Sequence, residues 1–267
     1  MDKLSINNYG YLPWNIYFKD SIVSLSKMNT ALKGDWKEVF ENVIEHKNLL
    51  KIEKYLSHAL LITEGKVKIY PYPELIYNAF YLTPLDDIKV VFLGQDPYHQ
   101  NEIHNGKLIP QAMGLSFSVP VGMKIPSSLK NIYNNLLKFK HIDESPVHGN
   151  LSKWANRGCL MLNTSLTVQH GHAGSHCKFW RDITDQIISY ISMKKENIVF
   201  ILWGKPALNK LDLIDSTKHK AIISSHPSGL SFTHKLGKYP SFAENDHFGQ
   251  INDFLEKKKI PKIDWKL

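Results

Sequence analysis

Hydrophobic positions along the 267-residue chain fall into two kinds of pattern. Four runs are short, nearly continuous and largely β-branched or aromatic: 88–93 (IKVVFL), 159–162 (CLML), 198–203 (IVFILW) and 221–223 (AII). Runs of that length predict strands buried on both faces. Between and around them, apolar residues recur three and four apart, the period of an amphipathic helix. Leu129, Ile132, Tyr133 and Leu136 mark a helix over 127–139, with Ser127 and Ser128 as possible caps. Trp180, Ile183, Ile187, Ile188 and Ile191 mark one over 179–193, and Phe248, Ile251, Phe254 and Leu255 one over 245–258. Upstream, Trp36, Val39, Phe40, Val43 and Ile44 open a helical stretch at Asp35, followed by another over 49–61. Strands alternating with helices predict an α/β fold: a three-layer αβα arrangement with a short, central, four-stranded parallel sheet flanked by helices. Residues 35–267 are expected to form one domain, with 1–34 as an N-terminal extension of uncertain order.

Each apolar run hands over to polar residues. The first leads into Gln95 and Asp96, the second into Asn163, the third into Gly204 and the fourth into His226. Ligands of open parallel sheets bind beyond the carboxyl ends of the strands. Four loops leaving that edge therefore bring Asp96, Asn163 and His226 to one mouth despite their separation in sequence. Taken singly, an Asp or Asn after a strand reads as a turn or cap, and a lone His as structural. Together they form a constellation: a carboxylate to act as a general base or cation stabiliser, an amide able to read a base edge, and an imidazole donor.

Charge sharpens the substrate class. Thirty-three Lys and Arg against 25 Asp and Glu leave a net charge of +8, compatible with a polyanionic partner. The two cysteines, Cys159 and Cys177, exclude a disulfide scaffold and a four-cysteine metal site within the chain. No apolar stretch is long enough to span a bilayer, and residues 1–14 lack the apolar centre of a signal peptide, so an intracellular protein of cytoplasm or nucleus is expected.

The motifs GQDPYH (94–99), GLSFSV (114–119), LMLNTSLTV (160–168) and SSHPSGLS (224–231), with HF-x-x-IN (247–252) and KIDW (262–265), resemble those of the uracil-DNA glycosylase family, in its uracil-N-glycosylase branch. The likeness runs from about Trp36 to the C-terminus. It implies a monomeric hydrolase that flips deoxyuridine out of single- or double-stranded DNA, cuts its N-glycosidic bond and needs no metal or organic cofactor. By the same resemblance, Asp96 orients the attacking water and stabilises the sugar cation. Gln95 contacts the base through its backbone, and Tyr98 occupies the space of a thymine methyl. Phe117 stacks on the base, Asn163 pairs with its edge and His226 hydrogen-bonds O2. Leu230 enters the duplex, while Ser128 and Ser228 hold flanking phosphates; Gly204 and Lys205 are read as further DNA contacts, Lys205 adding a phosphate-seeking charge.

The chain departs from the family pattern in several places. Residues 100–113 (QNEIHNGKLIPQAM) form an enlarged loop next to the one bearing Asp96, and a proline-rich loop shrinks to 124–128 (KIPSS). Gly229 replaces the usual proline before Leu230, and Lys205 a common serine. The extension and the 100–113 insertion are the candidate surfaces for a protein partner. His170, His172 and His176 resemble a metal cluster but match the family's ordinary LTV-x-x-G/H-x-A-x-S-H stretch. Two rival readings are a non-catalytic DNA-binding module and an enzyme of free nucleosides. Intact Asp96, Asn163 and His226 count against the first, and the Leu230 loop and positive charge against the second.

Overall fold

The computed structural model describes residues 4–29, 32 and 34–267; the rest of the 1–34 extension lies outside the described residues. Its centre is a sheet of four parallel strands: β1 (Val90–Gly94), β2 (Cys159–Asn163), β3 (Val199–Trp203) and β4 (Lys220–Ser224), in the order β2-β1-β3-β4. Every residue of β1, β2 and β3 is buried, while the edge strand β4 is partly exposed. That difference explains why three runs read as continuous apolar stretches and the fourth is shortest. The register is uniform: Val90 sits opposite Cys159 and Val199, and Val199 opposite Lys220. Each strand is five residues long, so Gly94, Asn163, Trp203 and Ser224 end together at one edge.

Four longer helices flank the sheet: α1 (His46–Ile62), α2 (Ser127–Lys138), α3 (Cys177–Lys194) and α4 (His247–Lys257), with α1 packed on α3. Each buries an apolar stripe against the core, as its 3.6-residue period requires. An aromatic cluster of Phe92, Trp154, Trp203, Phe248 and Trp265 locks the end of the chain to the sheet, and the Trp154 indole donates to the Trp265 carbonyl at 3.0 Å.

Three local expectations are corrected. Ser127 and Ser128 do not cap α2: Pro126 takes the N-cap position and both serines sit in the first turn. The stretch after Asp35 is one α-turn (Asp35–Glu38) running into a π-helical turn (Val39–Val43). Residues 100–113 are not an open loop but mainly an antiparallel hairpin, Asn101–His104 against Lys107–Pro110. Its turn places Asn105 and Gly106 at φ 49° and 72°, the left-handed pair that a type I′ hairpin demands.

The described part of the extension packs on the domain. Leu4, Tyr9, Trp14, Val23 and Leu25 are buried, and the Trp14 indole donates to the Pro71 carbonyl at 2.9 Å. Ser5 bridges Val121, and Asn7 meets His104 of the hairpin at 3.1 Å. The arm thus meets the hairpin through the Asn7–His104 hydrogen bond.

Candidate active site

The carboxyl edge of the sheet collects most of the candidate residues. Where β1 and β2 end side by side, Gly94 lies opposite Asn163. A methyl on Gly94 would fall 2.1 Å from Asn163 Oδ1 and 2.9 Å from Ser116 Cβ, so only glycine lets the amide lie flat against the strand end. Asn163 is 6% exposed, and its Oδ1 has no hydrogen-bond partner among the described residues. Buried polar atoms are normally paired, so an orphaned acceptor at the strand ends is free to take a donor from a bound group. Here the missing partner is a donor, such as an imide N–H.

The loop after β1 is clamped by the loop after β2. The Gln95 carbonyl accepts from the Ser165 amide at 2.9 Å and from the Thr164 hydroxyl at 2.8 Å. This exposes the Gln95 side chain and half-buries Asp96. Asp96 Oδ2 accepts from the Gly174 amide at 2.5 Å. Burial raises the Asp96 pKa above the ordinary carboxylate value, against the Gly174 bond and the nearby His99, which lower it. The Gly174 amide thus fixes one carboxylate oxygen of Asp96 and leaves the other to act.

Tyr98 is half-buried, its hydroxyl donating to the Phe117 carbonyl at 3.4 Å, and burial raises its pKa. Phe117 is held at φ 62°, an uncommon conformation for so bulky a residue and one found where function constrains the backbone. Its ring meets Trp203 edge-on at 5.5 Å and His226 at 5.9 Å. Tyr98, Phe117 and His226 thus form one contiguous wall.

The His226 Nδ1 accepts from the Ser228 amide at 3.0 Å. In the neutral ring this leaves the proton on Nε2, making that atom a donor. Burial pushes the His226 pKa down to about 4, so the neutral donor form persists across the physiological range. The loop is held from both sides: Asn131 of α2 donates to the Pro227 carbonyl at 2.8 Å, and the Ser231 hydroxyl to the His226 carbonyl at 3.1 Å. Ser228 and Ser231 hydroxyls lie 2.9 Å apart. Beyond them Leu230 is 93% exposed at the loop tip, a large apolar side chain left in solvent. Gly204 donates its amide to the Ser224 carbonyl at 2.9 Å, tying the ends of β3 and β4, and exposed Lys205 follows it. A cleft of 370 Å³ opens here, walled by Gln95, Gly204, Lys205, His226, Ser228 and Lys235 among others. Ser128 lies in the first turn of α2, three residues before Asn131.

Of the three clustered histidines, His170 and His172 approach the carbonyls of His99 and His170, and buried His176 sits 2.9 Å from the Thr167 hydroxyl. No group of three or more His, Cys, Asp or Glu among the described residues is arranged to hold a metal ion. Three parts of the site escape sequence reasoning. Gly94 becomes meaningful only through its register with Asn163. The Gly174 amide on Asp96 crosses 78 residues with no local signal. The Ser228–His226 contact does have one, the H-x-S spacing.

The family model described as "Uracil DNA glycosylase superfamily" matches residues 80–256. A uracil-DNA glycosylase of Azotobacter vinelandii is 43% identical over 237 residues, 88% of this chain and 94% of that protein. The crystal structure of mimivirus uracil-DNA glycosylase superposes with a TM-score of 0.90 at 37% identity, covering 98% of this chain and 96% of that one. A mimivirus variant in complex with UGI also gives 0.90 at 37% identity, covering 98% of each chain. With its parallel sheet, its strand-end constellation and these likenesses together, the chain belongs to the uracil-DNA glycosylase superfamily.

Proposed function

We propose that this chain removes uracil from DNA, hydrolysing the N-glycosidic bond of an extruded deoxyuridine and leaving an abasic site, the first step of base-excision repair. The observation that carries the reading is the orphaned Asn163 Oδ1, a buried acceptor beside the strand ends. Uracil offers N3–H to that acceptor and O4 to the amide donor, whereas cytosine presents N3 as an acceptor and an amino group in place of O4. Sites built on buried hydrogen bonds reject a mismatched partner strongly, because their groups are left unpaired. Thymine presents uracil's edge, so only bulk excludes it, and Tyr98 supplies the bulk. Phe117 stacks on the base.

As the C1′–N1 bond breaks, negative charge grows on the departing base and positive charge on the sugar. The Nε2–H of neutral His226 donates to O2, a preorganised donor aimed at developing charge. Asp96, its Oδ2 held by Gly174, orients the water that attacks C1′ and favours the cationic sugar. Gln95 contacts the base through its backbone. Extrusion from a duplex is unfavourable by a few kcal/mol, and Leu230 fills the vacated stack. Ser128, Ser228, Gly204 and Lys205 take flanking phosphates. Residues 35–267 form the catalytic domain, acting as an intracellular monomer. The arm and the 100–113 hairpin form the surface for any protein partner.

An oligonucleotide bearing one deoxyuridine tests this. Alkali-labile abasic product with released uracil is expected. Intact substrate at low salt contradicts the reading.

A further inference from the structure

A second cleft opens on the far side of Gln95. It measures 520 Å³ and is walled by Gln95, Cys177, Arg181, Asp185, Pro206 and Lys210, with Thr164 and Asn209. Gln95 and Pro206 also wall the cleft that holds His226 and Lys205, so the two clefts adjoin along these residues. Its charges are unequal. Lys210 and Asp185 neutralise each other at 2.5 Å, with the lysine largely buried. Arg181 is exposed in the first half of α3 and has no ion-pair partner among the described residues. The uncompensated charge of the cleft is therefore one guanidinium, a group whose fork matches phosphate geometry.

We propose that this cleft is a second DNA subsite, which carries the strand beyond the extruded nucleotide and takes one of its backbone phosphates on Arg181. The inference rests on the uracil-excision reading and extends its footprint past the Lys205 turn. Cys177 lies in the same cleft, where burial and, after it, the Asp96 carboxylate raise its pKa. Cys159 is fully buried, so Cys177 is the half-exposed thiol and reports on occupancy of the cleft.

Two measurements test the proposal. Arg181→Gln is compared with the unmodified chain on single-stranded substrates of about four and about twenty nucleotides, spanning the usual range of single-strand site sizes. One lost phosphate contact lowers the slope of log K against log salt by about 0.7, which is about fivefold in affinity at 0.1 M salt. The expected result is a fivefold rise in KM on the long substrate, with kcat unchanged, and no change on the short one. In the second measurement, maleimide labelling of Cys177 in an Asp96→Asn variant is followed with each DNA bound. Protection by the long strand and not by the short one is expected. Extending the short strand on its 5′ or its 3′ side alone then shows which flank enters the cleft. Equal protection by both lengths, protection by neither, or an unchanged salt slope overturns the subsite. If no uracil is released from either length by the unmodified chain, the excision reading fails instead.

Discussion

Gly94→Ala is the sharpest probe of the site. The added methyl would sit 2.1 Å from Asn163 Oδ1 and 2.9 Å from Ser116 Cβ, both in buried side chains with little room to retreat. Asn163 must then turn away from the strand end. Its amide makes two hydrogen bonds to the base in our scheme, each contributing up to about 1.5 kcal/mol net. Losing both removes about 3 kcal/mol, which at about 1.4 kcal/mol per decade is roughly a 150-fold fall in kcat/KM. Overpacking a core destabilises by about 1–3 kcal/mol, or roughly 2–10 °C in Tm for a domain of this size, so the variant still folds. Steady-state uracil release and thermal unfolding separate the two effects. The double variant Gly94→Ala/Asn163→Ala should be no slower than Asn163→Ala alone, because the methyl acts only through the amide. A kcat/KM within threefold of the unmodified chain, or additive losses in the double variant, would show that the methyl does not act through Asn163.

Four further outcomes are expected. Asp96→Asn should lose at least a hundredfold in kcat, the low end of a general acid–base contribution, while a fluorescence titration shows DNA binding retained. The acid limb of kcat/KM should fall at a pH above the ordinary aspartate value of 3.8, since Asp96 is raised by burial and must be ionised; a midpoint at or below 3.8 contradicts this. His176, His226 and His247 are each pushed from 6.5 to about 4 by burial, so the unfolded chain binds more protons than the folded one between those limits. Stability should be fully present above pH 6.5 and decline towards about pH 4, read from urea midpoints. Leu230→Ala should leave Tm unchanged, because the side chain is 93% exposed, and slow excision from duplex more than from single strands.

The sheet was legible because β1, β2 and β3 are buried on both faces and so carry unbroken apolar runs. Uniform strand length then carried Asp96, Asn163 and His226 to one edge without any knowledge of register. The supports of those residues were not legible. Whether Gly94 faces Asn163 or a neighbour depends on a pairing register that two distant runs cannot specify, and the Gly174 amide reaches Asp96 through a loop with no repeating pattern. The α2 cap departs from the expectation because Pro126, which precedes both serines, takes the N-cap position although Ser is a strong capping residue. The 100–113 hairpin did carry a signal, Asn105-Gly106 between two short segments, but those segments have little apolar alternation to announce strands.

The most direct test sets uracil against thymine in one molecule design. Oligonucleotides identical but for a central uracil, thymine or cytosine are incubated with the unmodified chain and with Tyr98→Ala, and released bases are quantified by mass spectrometry. Uracil alone is expected from the unmodified chain, and uracil with measurable thymine from Tyr98→Ala, with cytosine still refused by Asn163. Release of thymine by the unmodified chain, or continued exclusion of thymine by an active Tyr98→Ala variant, would contradict it.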